Sequence, residues 1–336
     1  MRAAVVGSGG WGTALALILL ENGNQTALVC RREDKCRQMK ESRENPQLKG
    51  VRLPEALDLT CDLKAVSECD LVVLAVPSFS VRETARKIRG YLNDKTVLVC
   101  ASKGIEHGTT MLMHQVIEQE IDLGVPVAVL TGPSHAEEVS RGIPTAVVVA
   151  SEDRWAAELT QDLFMNEHFR IYTSSDVTGV EIGGAMKNVI ALCAGCCDGL
   201  GLGDNTKAML ITRGIAEIAR LGVALGAKAE TFTGLAGVGD LVVTCTSQHS
   251  RNYRAGRLLG QGVSMADIVS GMNGAVIEGY YAAASAKQLA VKTGVEMPIT
   301  VGAYGALYEG KNPGEILSEL MSRKKRHEPE YEISWI

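Results

Sequence analysis

The run VVGSGGWG at residues 5–12 places Gly7, Gly9 and Gly12 in the spacing G-x-G-x-x-G. It follows an apolar stretch at residues 3–6 and opens a helical pattern over residues 13–22. The first two glycines permit a tight turn and a close approach of backbone to a pyrophosphate. The third lets the helix pack against the strand, and the helix start faces the phosphates. Between a strand and a helix this spacing predicts dinucleotide binding.

The rest of the first half keeps the same rhythm. Apolar runs of strand length recur at residues 25–29, 71–76, 97–100 and 127–130, with helical patterns at 81–91 and 109–120. Gly23 closes the first helix. Residues 145–150 and 169–173 read as later strands flanking a helix at 154–164. Such alternation predicts an α/β fold with a doubly wound parallel sheet of Rossmann type. After about residue 178 the strand signals fade. Long Ala/Gly/Leu-rich helices follow at 181–197, 205–225, 251–261, 279–293 and 313–322. We therefore expect a dinucleotide-binding Rossmann domain over residues 1–179 and an all-helical, substrate-binding C-terminal domain over 180–336.

Composition narrows the function. The net charge of −5 gives no bulk attraction to nucleic acid or anionic membrane. The one basic cluster, RKKRH at 323–327, reads as a solvated helix end or tail. The first residues resemble a signal peptide, but glycines 7, 9, 10 and 12 interrupt the apolar run and no small-residue cleavage site follows. No run reaches the roughly 18 apolar residues of a membrane span. The nine cysteines are scattered through expected strands and helices, and the CxxC of Cys193 and Cys196 lacks a second pair. This implies neither a disulfide framework nor a metal site, and a reducing cytoplasm.

Several clusters could carry chemistry. In LVCRRED, Arg31 and Arg32 stand where an acidic residue would bind a ribose 2′-hydroxyl. Two guanidiniums suit a 2′-phosphate, which favours NADP(H). Glu33 and Asp34 lie just beyond and leave NAD(H) open. CASKGIE sets Lys103 behind a strand, and LTGPSHAEEV sets Gly132, Ser134 and Ala136 behind another. In TCTSQHSRNYRAG, Ser250 is a helix N-cap, with Arg251 and Asn252 in the first turn, which makes either a phosphate site or an ordinary capped helix with a surface arginine. His135 and His249, beside these clusters, read as bystanders. GLAGVGDLVVTC buries Asp240 between glycines and a strand-like run, and a buried carboxylate needs a partner. Lys187, in VEIGGAMKNVIALCAGC, is the candidate. Its helical face carries Gly183, Gly184, Ala191, Ala194 and Gly195, so it either snorkels to water or serves something that approaches closely.

Assembled, these motifs resemble the NAD(P)-dependent glycerol-3-phosphate dehydrogenases of bacterial type, with GSGGWGTALA, ASKGIE, LTGPSHAEEV, GVEIGGAMKNVIAL, TGLAGVGDLVVTCTSQHSRNYRAG, VIEG and MPIT in the family's order. The resemblance implies reversible hydride transfer between NAD(P)H and dihydroxyacetone phosphate, giving sn-glycerol 3-phosphate for phospholipid synthesis. It implies that Lys187 is the general acid/base, and that the small residues around it let the substrate come within bonding distance. It assigns Lys103, Gly132, Ser134, Asp240, Ser250, Arg251 and Asn252 to the substrate, and Asn188 and Thr244 to its vicinity. It assigns Gly7, Gly9, Gly10, Trp11, Gly12, Arg31, Arg32, Lys103, Ala136, Arg251, Val276 and Glu278 to the cofactor. Gly10 departs from the serine that many members carry, and residues 39–57 match poorly. A homodimer is left open. A 3-hydroxy acid dehydrogenase of similar build, or a nucleotide sensor without catalysis, are the competing readings. The first would want a carboxylate-binding group in place of SRN, and the second has no need of Lys187.

Overall fold

The computed structural model describes residues 1–272 and 276–325. Among the described residues eight strands form one sheet: β1 (Arg2–Val6), β2 (Gln25–Val29), β3 (Asp58–Thr60), β4 (Leu71–Leu74), β5 (Val97–Cys100), β6 (Val127–Thr131), β7 (Thr145–Ser151) and β8 (Phe169–Ser174). Their order is β3-β2-β1-β4-β5-β6-β7-β8. Strand order reverses at β1, so the carboxyl ends of β1 and β4 flank a crevice of the kind in which nucleotides bind. Helices α1 (Gly10–Glu21), α2 (Glu33–Ser42), α3 (Val81–Ile88), α4 (Met113–Ile121), α5 (Ala136–Val139) and α6 (Arg154–Phe164) connect the strands. Separate apolar cores form on the two faces of the sheet, one around Leu15, Leu28 and Phe164, the other around Val72, Ile88 and Ile117.

One pair departs from the expected all-parallel sheet: β6 and β7 run antiparallel. A parallel return needs a crossover of a dozen or more residues, usually helical. Between β6 and β7 the only helix is the single turn of α5. The short strand β3 and helix α2 were not expected. In α2 only Cys36 and Met39 are buried, so its apolar signal is weak. The helix expected from residue 109 begins at Met113, because Thr110 takes φ 62° and Ile105 bridges Leu112.

The second half is helical: α7 (Val177–Gly199), α8 (Asp204–Ala224), α9 (Asp240–Thr246), α10 (Arg251–Gly260), α11 (Met265–Gly271), α12 (Glu278–Thr293), α13 (Pro298–Tyr308) and α14 (Pro313–Met321). Asp176 caps α7 by accepting from Gly179 N at 2.9 Å. It also accepts from Lys228 N at 2.9 Å and Thr231 Oγ1 at 2.5 Å, which ties the helix start to the chain beyond α8. The 23 residues of α7 are long and apolar enough to cross a membrane by composition, but 89% of the best window is buried inside the protein. It is the axis of the helical core, packed among Ile218, Leu241, Tyr253 and Ala283. The run after Asp240 at residues 241–245, expected as strand-like, belongs to α9 instead, entered through a π-helical turn at Leu235–Gly239. Arg326 and His327 of the basic run lie outside the described residues.

Candidate active site

Lys187 sits in the middle of α7 and is only 7% exposed, so its ammonium does not reach bulk water. The sequence suggested that the small residues on its face hold open space for a substrate. Instead they admit neighbouring protein. A Cβ on Gly195 would lie 1.9 Å from Tyr253 O, one on Gly183 2.3 Å from Ala236 O, and one on Gly184 2.6 Å from Thr131 Oγ1. Contacts that close require glycine. They press α10, the turn before α9 and the end of β6 against α7, and so bring their polar groups to Lys187.

Asp240, the first residue of α9, is fully buried and receives hydrogen bonds from both lysines. Lys187 Nζ donates to its Oδ1, and Lys103 Nζ donates to its Oδ2 at 2.8 Å. Lys103 Nζ also donates to Gly132 O at 3.0 Å. Thr131 Oγ1 lies 3.4 Å from Oδ2. The sequence named Lys187 as the partner of Asp240; the carboxylate is in fact shared by two ammonium groups. Burial pushes Lys187 down to about 7; Asp240 pulls the other way and Lys103 adds to the depression. Burial alone would raise Asp240, but the two lysines outweigh it and hold the carboxyl below its usual range.

A second chain of bonds leads from the same place to α10. Asn252 Nδ2 donates to Asn188 Oδ1 at 2.9 Å, and Gly279 N donates to Asn252 Oδ1 at 2.9 Å. Ser250 Oγ caps α10 by accepting from Tyr253 N at 3.2 Å. Arg251 is exposed on the first turn, within electrostatic reach of Glu278 and Glu137. Glu278 opens α12 and accepts from Ser78 N at 3.1 Å and Ser78 Oγ at 2.6 Å, which joins the helical half to the loop after β4. Val276 lies half-buried just before it. The His135 and His249 rings meet at a tilt of 51° with their centroids 5.7 Å apart. Burial and the nearby Lys187 charge keep His135 below its usual value.

The glycine turn lies between β1 and α1. Gly7 has φ +121°, and a Cβ on Gly12 would meet Gly7 O at 2.0 Å. Gly9 is the N-cap of α1 and provides no side-chain cap, so the first-turn N–H groups are left for an anion. A side chain on Gly10 would meet Ala136 Cβ at 3.5 Å, which places α5 over the helix start. A dinucleotide fits this cradle. Trp11 turns its indole toward Phe169, 6.5 Å away, leaving its backbone at the helix start. Arg31 and Arg32 are exposed just beyond the carboxyl end of β2, with Arg32 Nε 3.6 Å from Asp34 Oδ1.

Two candidate side chains are held by nearby backbone. Thr244 Oγ1 donates to Asp240 O of its own helix at 2.6 Å, and Ser134 Oγ donates to Gly132 O at 2.9 Å. Conversely, Thr131, Ser78 and Asn45 were not singled out. Asn45 is fully buried and donates to Thr13 Oγ1 at 2.6 Å and Ser8 O at 3.2 Å, so it pins residues 43–53 to the glycine turn. Nothing local marks it, since its partners are over 30 positions away.

The family model for the N-terminus of NAD-dependent glycerol-3-phosphate dehydrogenase matches residues 2–157, and the model for its C-terminus matches 176–318. The chain belongs to the glycerol-3-phosphate dehydrogenase family. It is 52% identical to the Moorella thermoacetica glycerol-3-phosphate dehydrogenase (NAD(P)+), over 97% of each chain. It is 51% identical to that of Desulfitobacterium hafniense, over 98% of this chain and 93% of the other. The crystal structure of glycerol-3-phosphate dehydrogenase from Coxiella burnetii superposes with a TM-score of 0.92 at 38% identity, covering 96% of this chain and 99% of the other. The chain is thus an oxidoreductase of this family, and its cofactor is a nicotinamide dinucleotide. The glycine turn and the Lys187–Asp240–Lys103 cluster lie within the stretches that the two family models match.

Proposed function

We propose that the chain catalyses the reversible reduction of dihydroxyacetone phosphate to sn-glycerol 3-phosphate, with Lys187 as general acid/base. The observation that carries this reading is a buried ammonium held beside a second one by a shared carboxylate, next to the capped start of α10. Gly7, Gly9, Gly10, Trp11, Gly12, Arg31, Arg32, Lys103, Ala136, Arg251, Val276 and Glu278 would hold the cofactor. The nicotinamide, when bound, supplies or accepts the hydride. As the ketone oxygen gains negative charge, Lys187 stabilises it and donates a proton; in the reverse direction neutral Lys187 accepts the hydroxyl proton. Asp240 orients Lys187, and Lys103 adds positive charge on the same side. The N-cap of Ser250, the first-turn N–H groups of α10 and the Arg251 guanidinium receive the substrate phosphate.

The test compares dihydroxyacetone phosphate with unphosphorylated dihydroxyacetone at saturating NADPH. Dihydroxyacetone should be a very poor substrate. Arg251→Ala should lose roughly 1.5–3 kcal/mol on the phosphorylated ketone, the scale of a hydrogen bond to a charged group. It should hurt the unphosphorylated ketone far less. Equal losses in kcat/KM for both ketones would remove Arg251 as the phosphate reader.

The same proposal includes a preference for NADP(H). Arg31 and Arg32 follow the strand that ends beside the ribose, and both are exposed. Changing both to alanine should weaken NADPH by about 2–3 kcal/mol, the worth of charge-assisted hydrogen bonds, and leave NADH nearly unchanged. Equal losses for the two cofactors, measured by fluorescence titration, would overturn it. The family likeness further supports a division of function at residues 179/180, a cytoplasmic location and supply of glycerol 3-phosphate to glycerophospholipid synthesis. A homodimer is compatible with this reading, and sedimentation would test it.

A further inference from the structure

A cavity of about 360 Å³ opens between residues 46–51, α5 and α10. Lys49, Arg141 and Arg254 line it, with Glu137 as the one carboxylate. All three cations are exposed, and among the described residues none has a side-chain hydrogen bond or ion pair. Unpaired cations from three separate elements around one hollow form an attractive site for an anion. The volume lies at the small end of the range for small-molecule sites. It exceeds what a bare phosphate fills, and Leu48 and Val51 give one wall an apolar character. The occupant that fits is a phosphate monoester with a small organic body.

The cavity is wired to both halves of the active site. Its loop is pinned to the glycine turn by Asn45. Gln47, also on the wall, lies 3.7 Å from where a Cβ on Gly9 would stand, and its carbonyl lies 3.6 Å from the same point on Gly10. Arg254 follows Arg251 by three residues on α10, so the two share one face. Glu137 follows Ala136 on α5. An anion held there would place negative charge beside the cradle that receives the pyrophosphate.

We propose that this cavity is a second anion site, which takes a small phosphate monoester and lowers the affinity of the enzyme for its dinucleotide. Phenyl phosphate and inorganic phosphate serve as probes, titrated calorimetrically into the full chain without cofactor. The variants are Lys49→Gln/Arg141→Gln/Arg254→Gln, which removes the cavity's cations, and Arg251→Ala, which removes the one at the start of α10. Each variant should bind one equivalent of phenyl phosphate fewer than wild type. Inorganic phosphate should bind the cavity more weakly than phenyl phosphate; the reverse order would overturn the choice of a monoester. In steady state, phenyl phosphate should raise KM for NADPH by about fivefold or more, the low end of usual couplings between sites. The triple variant should lose that effect while keeping kcat and KM without phosphate close to wild type. Wild-type stoichiometry in the triple variant, or survival of the NADPH effect in it, would overturn the proposal. The two readings fail separately. A single wild-type site abolished by Arg251→Ala leaves the substrate reading standing and removes this one. A single site abolished by the triple variant does the opposite.

Discussion

Lys187→Ala is expected to lower kcat by about a hundredfold to ten-thousandfold, the usual range for removing a positioned acid/base. NADPH affinity should stay near wild type, because the glycine turn is built by other elements. The loss should appear in both directions, since one group is proposed to donate in reduction and accept in oxidation. Lys187→Arg should not rescue it. A guanidinium can stabilise charge but does not exchange a proton near neutral pH. Near-wild-type turnover of Lys187→Ala would remove the lysine from the mechanism.

The pH profiles follow with a defined sign. Burial holds Lys187 near 7 rather than at its usual value above 10. On the proposed mechanism reduction needs the protonated form of Lys187 and oxidation the neutral form, so kcat of reduction should fall as pH rises through that value. The kcat for oxidation of glycerol 3-phosphate should rise over the same window. The dianionic phosphate of bound substrate favours the ammonium and moves both limbs upward. Both limbs should vanish in Lys187→Ala, and a limb that persists belongs to another group.

How far the sequence reached depends on whether the signal was local. The glycine turn, α1, α6 and the cap of α10 are set by neighbours a few residues apart, and their limits were read within a residue or two, except that α1 starts three residues earlier than its apolar pattern. Helix α9 was not read, because Val242, Val243 and Thr244 make a β-branched run that packing against α7 overrides. The antiparallel course of β7 leaves no trace in periodicity, since alternation along a strand does not depend on its direction. In the site, Lys187 was visible as a charge in an apolar helix. The role of its glycines was not, because it depends on Tyr253 and Ala236, which come close only after folding. The bond between Lys103 and Asp240 spans 137 positions, and no spacing rule reaches that far.

That bond makes Asp240→Asn the most informative change to the scaffold of the site. Asp240 is the single carboxylate between two ammonium groups and has no exposed surface. Asparagine keeps the volume but removes the charge and turns an N–H₂ toward a lysine. Breaking a buried pair from one side typically costs about 3–5 kcal/mol, because the remaining charge is left uncompensated. The protein can relieve part of this by releasing the Lys187 proton. With the attraction of Asp240 gone, burial and Lys103 should drive Lys187 below 7. In the unfolded chain it titrates above 10. Between those values the unfolded state binds more protons, so stability rises with pH across the window. The deficit of Asp240→Asn in urea unfolding should therefore be largest near pH 6 and shrink by pH 9, where Lys187 is neutral even in wild type. Lys103→Met in the same background should restore part of the loss by removing the second cation. Reduction at pH 7 should fall by about tenfold, because most of the lysine then stands neutral and has no proton to give, while oxidation falls less. Equal urea midpoints for wild type and Asp240→Asn at pH 6 would mean that the carboxylate neither holds the two lysines together nor sets the charge on Lys187.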